Sequence, residues 1–287
     1  MDPRQIEHRT ARVGDVSLHF VEAGAGRPVV LLHGFPEFWR GWRHQIAPLA
    51  GSGFRVIAPD QRGYNTSDKP PSASAYNLDA LAGDVVGLLD SLGLPRAAIV
   101  GHDWGGIVAW WLAARHPERV ERLAILNAPH PDAFRRFIRT SPRQMLRSWY
   151  AMLFQVPWLP EALLRPRRWA PLRRMMRRSG RPDAFTEADL DAYAEAWSRP
   201  GAMTAMINWY RAPLPSSSET SRARVSAPTL VIWGARDPAI DRRLAEKSLA
   251  YCDRGRLEFI EEATHWVQHE EADRVNQLLL GFLREPA

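Results

Sequence analysis

Lysine is nearly absent. Lys69 and Lys247 stand alone among 287 residues, so 36 of the 38 basic residues are arginine. The formal net charge of +6 raises the question of an anionic partner. The arginine excess reads more simply as the coding bias of a G+C-rich genome, and no nucleic-acid partner is expected. Cysteine is scarcer still. Cys252 is single, which excludes an internal disulfide and fits a reducing compartment. No apolar run reaches the ~18 residues that a membrane span needs. Met1 to Val13 carries no apolar stretch of the kind that opens a secretory signal. These absences point to a cytoplasmic protein without a membrane span. What is present is a globular composition, 45% hydrophobic and 24% charged. The chain is long enough for one large domain or a domain with an insert.

Residues 12 to 23 alternate in polarity around Gly14-Asp15 and predict a β-hairpin. Short apolar runs follow at Val29–Leu32, Arg55–Ala58, Ala97–Val100, Leu123–Leu126, Thr229–Trp233 and Leu257–Ile260. Helix-length segments at about 41–50, 77–92, 104–116, 240–250 and 268–284 separate or follow them. That rhythm predicts an α/β fold: a mostly parallel sheet with helices on both faces. The rhythm breaks between about 131 and 215, where no convincing strand occurs. This stretch, rich in Trp, Met, Arg and Pro, predicts a helical insert over the C-terminal edge of the sheet, where open α/β sheets bind ligands. Its Arg clusters, such as Arg165-Pro-Arg-Arg-Trp169, predict a solvated helix face. Pro213 and Ser216-Ser-Ser218 read as the linker back to the sheet.

The central motif is Gly101-His102-Asp103-Trp104-Gly105-Gly106. It follows an apolar run and opens an amphipathic helix. Small flanking residues permit a strained turn that lifts a nucleophile above the sheet. Such a turn normally carries Ser; here it carries Asp103. An Asp that merely caps the helix is the plain alternative, but partners follow in a telling order. Asp237, in Trp233-Gly-Ala-Arg-Asp237-Pro, ends a late strand. His265, in Ala263-Thr264-His265-Trp266, follows the last strand. The chain order is nucleophile, acid, base. His33-Gly34-Phe35-Pro36 follows the strand Val29–Leu32, where the Phe35 N–H is placed to pair with that of Trp104 as an oxyanion hole.

These motifs carry a resemblance. Residues 12–128 and 216–287 resemble the α/β-hydrolase superfamily. His33-Gly-Phe-Pro-Glu-Phe-Trp39, Asp60-Gln-Arg-Gly-Tyr64, Gly101-His-Asp-Trp-Gly-Gly106 and Thr264-His-Trp266 are similar to its epoxide hydrolase branch. Asn65 stands where that branch usually has Gly. Trp149-Tyr150-Ala-Met-Leu-Phe-Gln155 and Asn208-Trp-Tyr210-Arg-Ala212 are similar to the branch's two lid-tyrosine motifs. The resemblance implies an eight-stranded α/β-hydrolase core over 1–130 and 216–287, with an all-helical cap over 131–215. It also implies catalytic roles for Asp103, His265, Asp237, Tyr150 and Tyr210, and an apolar pocket lined by Phe35, Trp39, Trp104 and Trp266.

Asp is ionised near neutrality, with an unperturbed pKa of about 3.9, and attacks saturated carbon when the leaving group is strained or good. The product is an ester on Asp103. Water deprotonated by His265 then attacks its carbonyl, while Asp237 orients the imidazole. Opening an epoxide leaves a basic alkoxide that needs a proton, which tyrosine hydroxyls supply. The expected reaction is hydrolysis of a small hydrophobic epoxide to a vicinal diol, without metal or organic cofactor. A dehalogenase with the same nucleophile is the second reading. Haloalkane dehalogenases typically place a polar residue at the position of Phe35, and fluoroacetate dehalogenases an Arg at that of Trp104. A ligand receptor on the same scaffold need not keep all five groups. His265 and His269 have a zinc-compatible spacing but no third ligand, so His269 is expected at the surface of the last helix. His33 and His102 are expected to be supporting residues. Assembly as a homodimer is left open.

Overall fold

The computed structural model describes residues 6–213 and 224–285; the expected linker serines Ser216–Ser218 lie outside them. Eight strands form one sheet: β1 Glu7–Val13, β2 Val16–Ala23, β3 Arg27–Leu32, β4 Phe54–Pro59, β5 Ala97–His102, β6 Val120–Leu126, β7 Thr229–Gly234 and β8 Gly255–Ile260. Their order is β1-β2-β4-β3-β5-β6-β7-β8. β1 and β2 pair antiparallel, as do β2 and β4; every other pair is parallel. The hairpin starts earlier than its alternating pattern suggests, at Glu7. Its turn rests on Gly14 at φ 54°, a left-handed conformation that glycine adopts without penalty.

Strand periodicity divides the core between the two faces. Val29 and Leu31 of β3 pack on one side and Val30 and Leu32 on the other. The first side is covered by helices α1 (Arg43–Gly51) and α13 (Ala272–Arg284), through Ile46, Leu49, Leu279 and Phe282. The opposite side is covered by α2 (Leu78–Ser91), α3 (Trp104–Arg115) and α11 (Arg243–Leu249). Each fully buried aliphatic side chain contributes about 1.5–3 kcal/mol. The last helical region is not continuous: α12 (Val267–Glu270) precedes α13, with Glu271 outside both.

Between β6 and the described residues before β7 stand seven helices: α4 Pro131–Ile138, α5 Pro142–Arg147, α6 Trp149–Leu153, α7 Leu159–Leu164, α8 Pro166–Ser179, α9 Glu187–Ser198 and α10 Ala202–Arg211. Helices α9 and α10 are bonded to the sheet's loops. The Trp197 indole N–H donates to the Pro36 carbonyl at 2.6 Å, and that of Trp209 to the Arg62 carbonyl at 3.0 Å. The Tyr193 hydroxyl donates to Glu37 at 2.6 Å. Asp189 accepts from Arg40 at 3.2 Å and from Arg43 at 3.0 Å.

Candidate active site

The strand order brings the predicted residues to one edge. Phe35 follows β3, Asp103 follows β5, Asp237 follows β7 and His265 follows β8. β3 connects to β4 on one side while its neighbour β5 connects to β6 on the other, and ligands bind at such a switch point.

Asp103 sits at φ 49°, ψ −123°, where a residue with a Cβ is held only by its surroundings. Glycine makes the turn fit. A Cβ on Gly105 would stand 2.2 Å from the Leu32 carbonyl oxygen, and one on Gly34 would stand 2.4 Å from the Asp103 Cβ. The Phe35 N–H donates to Asp103 Oδ1 at 2.8 Å. The N–H of Trp104 opens α3, and helix geometry leaves such a group without an intrahelical acceptor. His265 Nε2 lies 3.5 Å from Asp103 Oδ2, while its Nδ1 bonds Asp237 Oδ2 at 2.7 Å. Oδ1 is therefore anchored, and Oδ2 is the less constrained oxygen.

Asp237 is buried, and its lone pairs are matched. Oδ1 accepts from the N–H groups of Ala239 at 2.8 Å and Ile240 at 2.9 Å. Oδ2 also accepts from Asn127 Nδ2 at 2.8 Å. Burial pushes its carboxyl up, but His265, Asn127 and the Ile240 N–H outweigh it and hold the pKa below the ordinary value. Burial pushes His265 down, yet the adjacent Asp237 and Asp103 carboxylates carry it well above the usual histidine range.

Aromatic rings close the site. Tyr210 meets Phe35, Trp104 and Phe154 edge-on, with ring centroids 5.4, 5.0 and 4.9 Å away. Tyr150 lies 6.0 Å from Tyr210 at 79°. Burial first, and then the Asp103 carboxylate among their neighbours, raise both hydroxyls above the ordinary tyrosine pKa. Two of the predicted pocket rings stand elsewhere. Trp39 packs on His8 and Phe38, away from this box, because its backbone is drawn to Asp60 by a 3.1 Å hydrogen bond. Trp266 backs the base, its ring edge-on to that of His265 at 5.1 Å, and its N–H donates to Ser179 at 2.9 Å.

His269 is not at the surface. It is buried on α12, with Nε2 donating to Glu37 Oε1 at 2.7 Å and Nδ1 accepting from Arg43 at 2.9 Å. Both ring nitrogens are thus occupied by protein partners. His33 and His102 are buried too. The N–H of Gln61 donates to His33 Nε2 at 3.1 Å, and His102 Nε2 donates to the His265 carbonyl at 2.9 Å. Asn65, at φ 41°, is bonded to Asp60 at 2.8 Å. Asn tolerates this left-handed geometry better than other residues with a Cβ, which explains how it replaces Gly.

Sequence reasoning passed over three residues here. Asn127, at φ 43°, joins Asp237 to the Gly234 N–H, which donates to its Oδ1 at 2.8 Å. Glu37 collects Tyr193, Gln268 and His269. Phe154 completes the aromatic box. Only Phe154 left a local trace, since it lies one helical turn beyond Tyr150.

Known proteins show the same arrangement of chain. The family profile for the alpha/beta hydrolase fold matches residues 27–272. AB hydrolase superfamily protein YfhM of Bacillus subtilis is 45% identical over 94% of this chain and 95% of its own length. Epoxide hydrolase 4 of Homo sapiens is 39% identical over 99% of this chain and 81% of that protein. The crystal structure of Bacillus megaterium epoxide hydrolase in complex with an inhibitor superposes with a TM-score of 0.88 at 30% identity, covering 96% of this chain and all of that one. With the fold, the strand order and these likenesses together, the chain belongs to the α/β-hydrolase superfamily, in its epoxide hydrolase branch.

Proposed function

We propose that this protein hydrolyses epoxides to vicinal diols through an ester on Asp103. The observation that carries the reading is one juxtaposition. The Asp103 carboxylate is anchored by one oxygen to the Phe35 N–H, while Tyr210 and Tyr150 crowd the same space with hydroxyls held protonated. In the first step Asp103 Oδ2 forms a bond to a ring carbon and the carbon–oxygen bond of the epoxide breaks. The ring oxygen takes a proton from a tyrosine hydroxyl. An alkoxide is far more basic than a phenolate, so a tyrosine hydroxyl can protonate it, and esterification removes the Asp103 charge that helps to raise both tyrosines.

Esterification removes the negative charge of Asp103. With that carboxylate neutral 3.5 Å from Nε2, one of the forces that hold His265 protonated is gone, and the imidazole becomes a base at the moment it is needed. Water loses a proton to His265 and its oxygen bonds to the Asp103 carbonyl carbon. The N–H groups of Phe35 and Trp104 hold the oxyanion. Collapse of this intermediate expels the diol oxygen, which takes the proton from His265; the proton left on the Asp103 carboxyl returns to the tyrosinate formed in the first step, restoring both the carboxylate and the phenol. Asp237 fixes the imidazole tautomer throughout. Helices α4–α10 form the cap that carries both tyrosines and excludes water from the alkylation step.

The test is a single turnover in ¹⁸O-water with an aryl or alkyl epoxide, followed by mass analysis of the Asp103 peptide. Label in Asp103 and an unlabelled first diol support the reading. Label directly in the diol overturns the covalent route. Halide release from haloalkanes, with no diol from any epoxide, would assign the nucleophile to dehalogenation.

A further inference from the structure

We propose that the outer face of α5–α8 is a docking surface for an anionic lipid bilayer. The inference is independent of which electrophile the site opens. Among the described residues, nine of the ten large hydrophobic side chains classed as exposed lie between 145 and 175. Leu146 is 75% exposed, Trp149 63%, Met152 73% and Trp158 83%. These are large apolar groups left in water on consecutive short helices, and such a concentration marks a surface that meets something. The segment is held in place: Arg211 donates to the carbonyls of Phe154 at 2.8 Å and Val156 at 2.9 Å, and to Glu161 of α7 at 2.8 Å.

Charge selects the partner. Residues 165–178 hold seven arginines and no carboxylate. Arg173 and Arg177 are paired with Asp191 and Glu187. Arg165, Arg167, Arg174 and Arg178 are exposed, with no carboxylate within 4.0 Å among the described residues. A groove of about 590 Å³ runs along α8, where Arg167, Arg174 and Arg178 stand beside the paired Arg173–Asp191 and Arg177–Glu187. Helix α7 packs against α8, so the apolar set and the basic set adjoin. Apolar side chains beside unpaired guanidinium groups match the two layers of a bilayer surface, acyl chains below and anionic headgroups above. A nucleic acid would use the charge and leave Trp158 and Leu146 in water. A second copy of the chain would bring the same arginines together. Tyr150 stands next to Trp149 on α6, so the helix that carries one candidate-site tyrosine also carries part of the docking face.

The experiment is co-sedimentation of the full chain with vesicles of phosphatidylcholine alone, and with about a third phosphatidylglycerol. Binding to the anionic vesicles, weakened by salt, is expected. The pair Arg174→Glu and Arg178→Glu should lower the affinity by roughly 25-fold or more, at roughly fivefold per positive charge removed. The pair Met152→Ser and Trp158→Ser should weaken binding while leaving its salt dependence in place. All four side chains are exposed, and an unchanged circular dichroism spectrum and melting temperature would show the fold intact. No sedimentation with anionic vesicles overturns the proposal. So does binding that neither pair alters, equally tight binding to duplex DNA, or an oligomer that both pairs dissolve without any vesicle binding.

Discussion

Asp237 holds His265 by a 2.7 Å hydrogen bond to Nδ1, leaving Nε2 turned toward Asp103 at 3.5 Å. The shorter contact is a bond and the longer one is a gap. Removing the imidazole should therefore separate the two chemical steps. In His265→Gln, Asp103 should still be alkylated, and the protein should gain the mass of one substrate that does not turn over. A variant that releases diol at the native rate would remove His265 from the mechanism.

Asp237→Asn should lower kcat by about 10²–10⁴, because an amide offers the imidazole the wrong partner and tautomer. The loss should fall on ester hydrolysis, so pre-steady-state mixing would show an undiminished burst followed by a slow steady rate. Equal loss in both phases would place Asp237 in the alkylation step instead.

Tyr150→Phe and Tyr210→Phe should each slow ester formation by about 10- to 100-fold, and the double variant should lose epoxide opening. Ester hydrolysis, measured from a preformed intermediate, should be unchanged. Full activity in the double variant would leave proton delivery without a donor and sink the assignment.

The charge balance around His265 predicts a pH dependence of stability. Its folded pKa is raised above the unfolded value of about 6.5. Its contribution is therefore fully present below that value and is lost as pH rises through the folded pKa. The melting-temperature gap between the native protein and His265→Gln should narrow as pH climbs from neutral into the alkaline range. Asp237 has the opposite sign. Its pKa is depressed, so its contribution is present above about pH 4 and fades as pH falls through the folded value. A gap that widened with alkaline pH would contradict the raised histidine.

Glycine substitutions should separate the elbow from the scaffold. Gly105→Ala would drive a Cβ to 2.2 Å from backbone and should cost about 1–3 kcal/mol or more, through overpacking. Gly83→Ala, on the exposed face of α2 with nothing within 4 Å, should stabilise by about 0.5–1 kcal/mol. Urea unfolding of both variants checks the contrast.

The sheet and the nucleophile–acid–base order were legible because both are written locally. A buried parallel strand such as Val29–Leu32 is a short apolar run, and the glycines around Asp103 mark the turn by composition alone. The supporting network was not legible. His269 and Glu37 are 232 residues apart, and no periodicity within either segment announces the other. The H-x₃-H spacing is zinc-compatible, and the lack of a third ligand leads to the expectation of a surface His269; instead it is buried against Glu37. Trp39 misled in the same way. It lies in a motif beside the site, but the Asp60 carboxylate captures its backbone and faces its ring toward β1. Asn127 was hidden because a polar residue after a strand usually marks only a turn.

The indole and phenol bonds that fasten α9 and α10 to the sheet loops have a kinetic corollary. Tyr193 and Trp197 donate to Glu37 and Pro36, two and one residues from the Phe35 N–H. A swing of the whole insert would therefore tear at the loop that anchors the nucleophile. The insert and that loop therefore move as one mechanical unit, and the amides of α9 and α10 should be among the last in the insert to exchange with deuterium.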